Sequence, residues 1–204
     1  MNSLSDDMTT NPMDLTLELR FANGSTTEFY EADEQRVSEV LRLLAAPRLF
    51  AQPHLLLASQ HGASMIPCRG IDMIIARTSA PLPLKFPLNL PAGLFDIVEQ
   101  PDAWPDNKSA AIGDQNGEHL QRDLQVEIVT FGSWSVTLEA LMMFRGIFQD
   151  ERQFFSQLPN MPTIPFRLKE GGFGLINTVN IMRASAWPNP ETFPGSALPL
   201  TLRR

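Results

Sequence analysis

Cysteine is nearly absent from this sequence of 204 residues, which contains one, Cys68. A single cysteine excludes an internal disulfide, and no CxxC motif is present. A chain without disulfides is typical of a reducing compartment, so we expect a cytoplasmic location. The Asn-x-Ser sequences at Asn23 and Asn107 then carry no glycan, because glycosylation requires the secretory route.

Long apolar runs are also missing. No stretch approaches the roughly 18–20 uninterrupted apolar residues that a membrane span requires, so we expect no membrane partner. Residues 1–14 have no basic start and no apolar block, which is unlike a secretory signal, and we predict a loose leader there.

Positive charge is scarce, since the formal net charge is −7 at pH 7. Nucleic-acid binding requires a basic stripe that neutralises phosphates, and none is visible, so we expect no nucleic-acid partner. The negative charge is concentrated in residues 96–123, which hold seven acidic and two basic residues. We predict an exposed acidic loop over residues 101–122.

Motifs for catalysis or metal binding are absent too. The sequence has no GxSxG and no paired-carboxylate signature, and His54, His61 and His119 lack the HxH, HxxxH and HExxH spacings. The segment around Asp114, Asn116 and Gly117 departs from the spacing of an EF-hand. We therefore expect no metal, no cofactor and no catalytic residue.

Two further features have a functional and a structural interpretation. Cys68 lies between Pro67 and Arg69, and a turn could bring it near His61, but an isolated cysteine in a strand is usually a packing residue. The glycines of residues 171–174 lack the GK[ST] ending and the helix of a phosphate-binding loop. Because they separate two apolar segments, we predict a hairpin turn.

What the sequence does contain is regular alternation. Leu15, Leu17, Leu19 and Phe21 alternate with polar residues, which predicts a half-buried strand. Asn23-Gly24 then predicts a hairpin, and Asp33 an N-cap of a helix that ends before Pro47. Strands are predicted over residues 54–59 and 64–79. The order over residues 15–79 is therefore β-β-α-β-β.

The same plan recurs over residues 124–186. Val126 lies 109 residues after Leu17, and Gly132-Ser133 is a turn candidate in the place of Asn23-Gly24. A helix is predicted over roughly residues 144–158, and Val179 corresponds to Ile71 at an offset of 108. We therefore predict an α+β fold of two related β-β-α-β-β modules, each a small antiparallel sheet with one packed helix. The alternative is that the two antiparallel segments merely resemble each other, since alternating strands do so easily.

A proline-rich belt and the acidic loop, residues 80–123, join the two modules, and residues 187–204 form an extended tail. Between Pro81 and Pro91 the apolar residues occupy every second position, so an extended segment would point them one way. We expect them either to pack on a module, with Phe86 as the anchor, or to bind a partner. They are Leu82, Leu84, Phe86, Leu88 and Leu90.

Two functions remain open from the sequence. The first is a non-catalytic binding or regulatory protein that acts through contacts with another protein or with itself. The second is an enzyme or small-ligand binder with a pocket at the seam between the modules, because domain interfaces favour pockets. Cys68, His61 or Asn180 lining a polar, accessible seam would favour the second function, and an apolar seam would favour the first.

Overall fold

The computed structural model describes residues 13–46, 48–59, 62–82, 94–100, 112–113, 119–145 and 160–187. The strands of the first half are β1 (Leu15–Phe21), β2 (Thr26–Glu31), β3 (His54–Ser59), β4 (Gly62–Pro67) and β5 (Ile71–Thr78). The later strands are β6 (Leu94–Glu99), β7 (Ile112–Gly113), β8 (His119–Thr130), β9 (Ser135–Arg145), β10 (Thr163–Arg167), β11 (Phe173–Asn177) and β12 (Ile181–Trp187). Helix α1 spans Glu34–Leu44, and short 3-10 turns span Leu49–Ala51, Cys68–Gly70 and Thr178–Asn180.

The start of the chain folds as its pattern predicts. Gly24 has a φ of 80°, a conformation that favours glycine, so it closes the β1–β2 hairpin. The Asp33 side chain accepts a hydrogen bond from the Arg36 backbone N–H at 2.9 Å and caps α1. The predicted hairpin and helix N-cap are therefore confirmed.

Most strands belong to one large sheet of ten, with the order β12-β8-β9-β6-β10-β11-β5-β1-β2 and with β7 pairing β8 beyond the end of β12. β6 and β10 run parallel, and the other pairings between described strands are antiparallel. β3 and β4 form a separate hairpin. The chain is thus mainly β.

Two apolar cores lie on opposite faces of the central strands. In β5 the residues from Ile71 to Ala76 are all buried, as are all five of β11, so both faces of these strands are covered. The first core includes Leu15, Leu17, Leu19, Val37, Leu41, Ile74 and Phe173. The second core includes Met73, Ile75, Val126, Ile128, Phe166 and Ile176. Alternate residues of β5 therefore serve different cores.

The predicted α+β fold of two β-β-α-β-β modules is wrong. β5 of the first half pairs with β11 of the second, from Phe173 opposite Ala76 to Ile176 opposite Met73, so strands of both halves share one sheet. The alternation of apolar residues indicates which side chains face inward, but it does not determine which strands become neighbours. The continuous apolar run of β5 is the feature typical of a central, doubly covered strand.

Several predicted boundaries also differ. The strand predicted over residues 64–79 is divided by the 3-10 turn at Cys68–Gly70, and the strand predicted to start at Leu124 starts at His119. Phe144 lies in β9 rather than in a helix, because β9 extends to Arg145. The rest of that predicted helix, the leader up to residue 12, most of the acidic loop and the tail after Trp187 lie outside the described residues.

Within the single sheet, the strand pairings of the two halves repeat in register. β1 pairs with β2 and β5, as β8 does with β9 and β12. Thr26 lies opposite Arg20, and Ser135, 109 residues later, lies opposite Val129. Each half also has a register shift at the equivalent position. It leaves Asp72 of β5 without a partner residue on β1, and Met182 of β12 without one on β8.

The repeat corrects one predicted equivalence. Leu17 lies opposite Phe29 and Ala76, and Val126 lies opposite Leu138 and Ala186, so Leu17 and Val126 occupy equivalent positions. Ile71 lies opposite Phe21, and Ile181 lies opposite Thr130. The residue equivalent to Ile71 is therefore Ile181, not Val179. The predicted offset failed because the second half gains one residue before its last strand.

Candidate functional site

The two 3-10 turns that precede β5 and β12 meet at a buried junction, which two asparagine side chains hold together. The Asn177 side-chain amide donates to the carbonyl oxygens of Cys68 at 3.2 Å and Ile71 at 2.9 Å. The Asn180 amide donates to Arg69 and Ile71 carbonyl oxygens, both at 3.0 Å. Both asparagines are buried, so these bonds fix one half of the chain against the other.

The β8–β9 turn closes the same junction. The Gly132 backbone N–H donates to the Asp72 carboxylate at 2.7 Å, and the Trp134 indole N–H donates to the Phe21 carbonyl oxygen at 3.0 Å. A Cβ at position 132 would collide with Phe21, Trp134 and Asp72, so only glycine fits there. The sequence predicted a turn at this point but not its contact with the first half.

Three oxygen atoms in this region have no hydrogen-bond partner: Asp72 Oδ1, Thr130 Oγ1 and Asn177 Oδ1. Their side chains are almost completely buried. Leaving such an atom unpaired costs about 1–3 kcal/mol. In the part of the chain that the structure describes, no group of three or more His, Cys, Asp or Glu side chains could hold a metal ion. Among the described residues, the junction therefore contains buried oxygen atoms that could accept hydrogen bonds, but no group of side chains that could hold a metal ion.

Cys68 lies at this junction, with 1% of its surface exposed. Burial raises the pKa of its thiol, so the sulfur stays protonated at neutral pH and is a poor nucleophile. His61, its predicted neighbour, lies outside the described residues. Of the three residues predicted to line a seam, the structure therefore brings Cys68 and Asn180 together, and both are enclosed.

A charged cluster lies on β1 and β5. Glu18 accepts from Arg20 at 2.7 Å and from Arg77 at 2.9 Å, and the Arg20 guanidinium lies 5.2 Å from the centre of the Trp134 ring. Burial by itself would raise the pKa of Glu18, but the two arginines outweigh burial and lower the pKa. Burial raises the pKa of Glu99, and the same arginines offset only part of that rise.

Carboxyl groups whose pKa values move apart are a feature of acid–base catalysis. Here, however, each Glu18 carboxylate oxygen already accepts from an arginine. We therefore interpret this cluster as a stabilising one.

The clearest exposed feature is on the outer side of the β3–β4 hairpin. Leu56 and Met65 lie directly opposite each other and are 70% and 66% exposed. Their neighbours Leu55, Leu57 and Ile66 pack on the first core from the inner side. We call Leu56 and Met65 the hairpin face.

A second exposed apolar group surrounds the junction. Phe131, Val179 and Met182 are exposed by 58%, 78% and 57%, and the Phe131 backbone N–H donates to the Asn180 carbonyl oxygen at 3.1 Å. The Asn180 side chain in turn contacts Arg69, two residues after the end of β4. These three side chains, the corner patch, therefore lie near the end of the hairpin.

Neither exposed group was predicted from the sequence. Successive side chains of a strand point to opposite faces, so the three consecutive leucines, Leu55 to Leu57, cannot all face the core. The sequence therefore indicated an exposed leucine in this strand. Val179 and Met182 carry no such signal, because matching Val179 to Ile71 predicts a strand there and not a turn. The register shift at Met182 is not visible in the sequence.

Of the proline-rich belt, the structure describes Pro81 and Leu82. Leu82 is half-buried and packs against the first core. The other predicted partner-binding residues, Leu84, Phe86, Leu88 and Leu90, lie outside the described residues. The proposed role of the belt therefore stays a prediction.

The predicted glycine turn is confirmed. Gly171 and Gly172 have φ values of 103° and 98° and connect β10 to β11, while Gly174 lies inside β11. Elsewhere, an open depression of about 520 Å³ is lined by Ala46, Arg48, Ala51 and Gln52. Among its described lining residues, Arg48 and Gln52 are the polar groups that could orient a ligand.

No protein-family model, no curated protein and no solved structure matches the chain. Among the described residues, no helix has the length and apolar character needed to cross a membrane.

Proposed function

We propose that this protein is a non-catalytic binding protein that acts through contacts with another protein or with a second copy of itself. The observation that carries the proposal is the paired exposure of Leu56 and Met65 on the hairpin face. Grouped exposed apolar side chains on a folded protein commonly mark interaction sites. The corner patch is a second exposed apolar group, and the belt residues Leu82 to Leu90 are a further candidate contact.

The chemistry of the partner follows from the charges. Arg20, Arg77, Arg167 and Arg183 each form an ion pair with a carboxylate, and the chain carries a net charge of −7. A surface of this kind does not attract phosphates, which favours a protein partner over a nucleic acid. The single buried cysteine is consistent with our assignment to the cytoplasm.

A seam pocket receives less support. The polar groups that converge at the junction are buried, and burial keeps the Cys68 thiol protonated. The Asn180 side-chain amide already donates to backbone carbonyl oxygens. An enzyme site needs polar groups that a substrate can reach. The arrangement at the junction instead stabilises the contact between the two halves.

The test is affinity purification of the tagged chain from cells of its source, with recovered proteins quantified by mass spectrometry. Leu56→Glu combined with Met65→Glu should reduce recovery of the specific partner, or of an untagged copy, by at least about tenfold, equivalent to about 1.4 kcal/mol. Leu43→Glu is the matched control, because Leu43 is an exposed leucine on α1 and is not part of the hairpin. Circular dichroism checks that both variants fold. Unchanged recovery by the double variant would contradict the proposal.

A further inference from the structure

We propose that the edge of β12 that no described strand covers binds β4 of a second copy of this chain as an antiparallel strand. The inference rests on the proposed function and identifies its partner. In the described part of the structure, β12 pairs with β8 on one side, and β4 pairs with β3 on one side. Their other sides carry backbone donors and acceptors that a further strand could use.

The internal register repeat specifies this pairing. β3 pairs with β4 as β10 pairs with β11, with His54 opposite Pro67 and Thr163 opposite Asn177. β4 is therefore the equivalent of β11, and β12 is the equivalent of β5. Since β11 pairs with β5, the repeat has one pairing, β4 with β12, that this structure leaves unmade.

The register of the missing pairing can be read from the existing one. Phe173 lies opposite Ala76, and Ile176 lies opposite Met73. The equivalent residues place Ala63 opposite Ala186, Ser64 opposite Ser185, Met65 opposite Ala184, and Ile66 opposite Arg183. Met65, one of the two residues of the hairpin face, is thus in the centre of the contact.

Within this chain, β4 pairs with β3 in a separate two-stranded sheet. Leu55 and Ile66 pack the hairpin on the first core. The Cys68 backbone N–H donates to the Pro53 carbonyl oxygen at 3.2 Å and so closes the open end of the hairpin. A second copy presents the same strand without breaking these contacts.

The two outer edges of the large sheet differ in how they resist pairing. β2 carries Glu28 and Glu31, charges of the kind that protect an exposed edge. β12 presents Ala184, Ser185 and Ala186, and its one charge, Arg183, is paired with Glu127 at 2.7 Å. The β12 edge therefore lacks the protection that a permanently free edge usually has. In a twofold dimer, β4 of each copy would pair with the β12 edge of the other copy.

The first test is the oligomeric state of the full chain by sedimentation equilibrium. We expect a dimer whose dissociation constant rises at least tenfold with Ala184→Lys, because a lysine on the edge opposes strand addition. Thr27→Lys on the β2 edge is the control and should leave association unchanged. A monomer at all concentrations, or equal weakening by both variants, would overturn the inference.

The second test measures the register by disulfide crosslinking in a Cys68→Ala background. A mixture of the Met65→Cys and Ala184→Cys chains should form a crosslinked heterodimer faster than a mixture of Met65→Cys and Ala186→Cys, which is two residues out of register. Equal rates for the two mixtures would contradict it, as would a bond that closes within one chain carrying both cysteines. If the chain is monomeric while the hairpin-face variant still loses a protein partner, this inference fails and the proposed function stands.

Discussion

At the scale of single residues, the fold depends on a few residues with specific roles: two asparagines that form hydrogen bonds across the junction and one glycine that leaves space for a close approach. Asn177 and Asn180 hold the two halves together through backbone carbonyls, and Gly132 allows the β8–β9 turn to approach Phe21 and Asp72. The sequence indicated a turn at Gly132. It did not indicate the asparagines, because their partners are 106 and 109 residues away in the chain.

The reactivity of the Cys68 thiol tests directly whether the junction is closed to solvent. We expect its thiol to react with an aromatic disulfide reagent only on unfolding, because it is buried and its pKa is raised by burial. The measurement is the labelling rate as a function of denaturant, with free cysteine as the reference. Rapid labelling of the native protein would show that the junction is open and would favour a seam pocket.

Glu18 provides a pH-dependent test. Because the folded state lowers its pKa below the ordinary value of 4.5, its charge contributes stability above that pH, and this contribution is lost as the pH falls through the lowered pKa. Glu18→Gln should therefore be less stable than the wild type near neutral pH, and the difference should shrink in acid. Thermal melts across this range measure it, and a constant difference would contradict the assignment.

At the scale of elements, β11 shows how a glycine can be required inside a strand. The Phe166 ring of β10 lies over Gly174, so a Cβ there would overlap the ring. Glycine without such a contact weakens a strand, whereas here it makes room for a core aromatic side chain. The two glycines of the preceding turn have a different role, since they supply positive φ.

Gly174→Ala should therefore destabilise the protein by about 1–3 kcal/mol, the usual cost of overpacking a core. Combining it with Phe166→Leu, which shortens the ring, should cost less than the sum of the two changes. Denaturant unfolding measures all three variants. Strict additivity would indicate that the ring does not occupy the space above the glycine.

The role of the belt was predicted from the sequence, and a substitution of Phe86 tests it. If it packs on the chain, as the contact of Leu82 with the first core suggests, Phe86→Ala should lower stability by about 3–5 kcal/mol, as for a buried phenylalanine. If the belt binds a partner instead, the melting temperature should not change and association should weaken. Thermal denaturation and sedimentation of the same variant distinguish the two.

At the scale of the whole molecule, the sequence predicted most strands and the one described α-helix but not their assembly. Alternation in β1 and capping by Asp33 are local signals, so they were correctly interpreted. The pairing of β5 with β11 is a contact between distant segments, and periodicity cannot specify it. The same limit applies to the candidate surface, since exposure of Met65 and Met182 depends on which strands cover their neighbours.

The central claim is that the chain acts through its uncovered strands and their apolar side chains. Hydrogen exchange of the full chain at low and high protein concentration tests it most directly. We predict that the amides of residues 63–66 and 183–186 gain protection as concentration rises, while those of β2 do not. Exchange that is independent of concentration in both segments, or equal protection of β2, would contradict the claim.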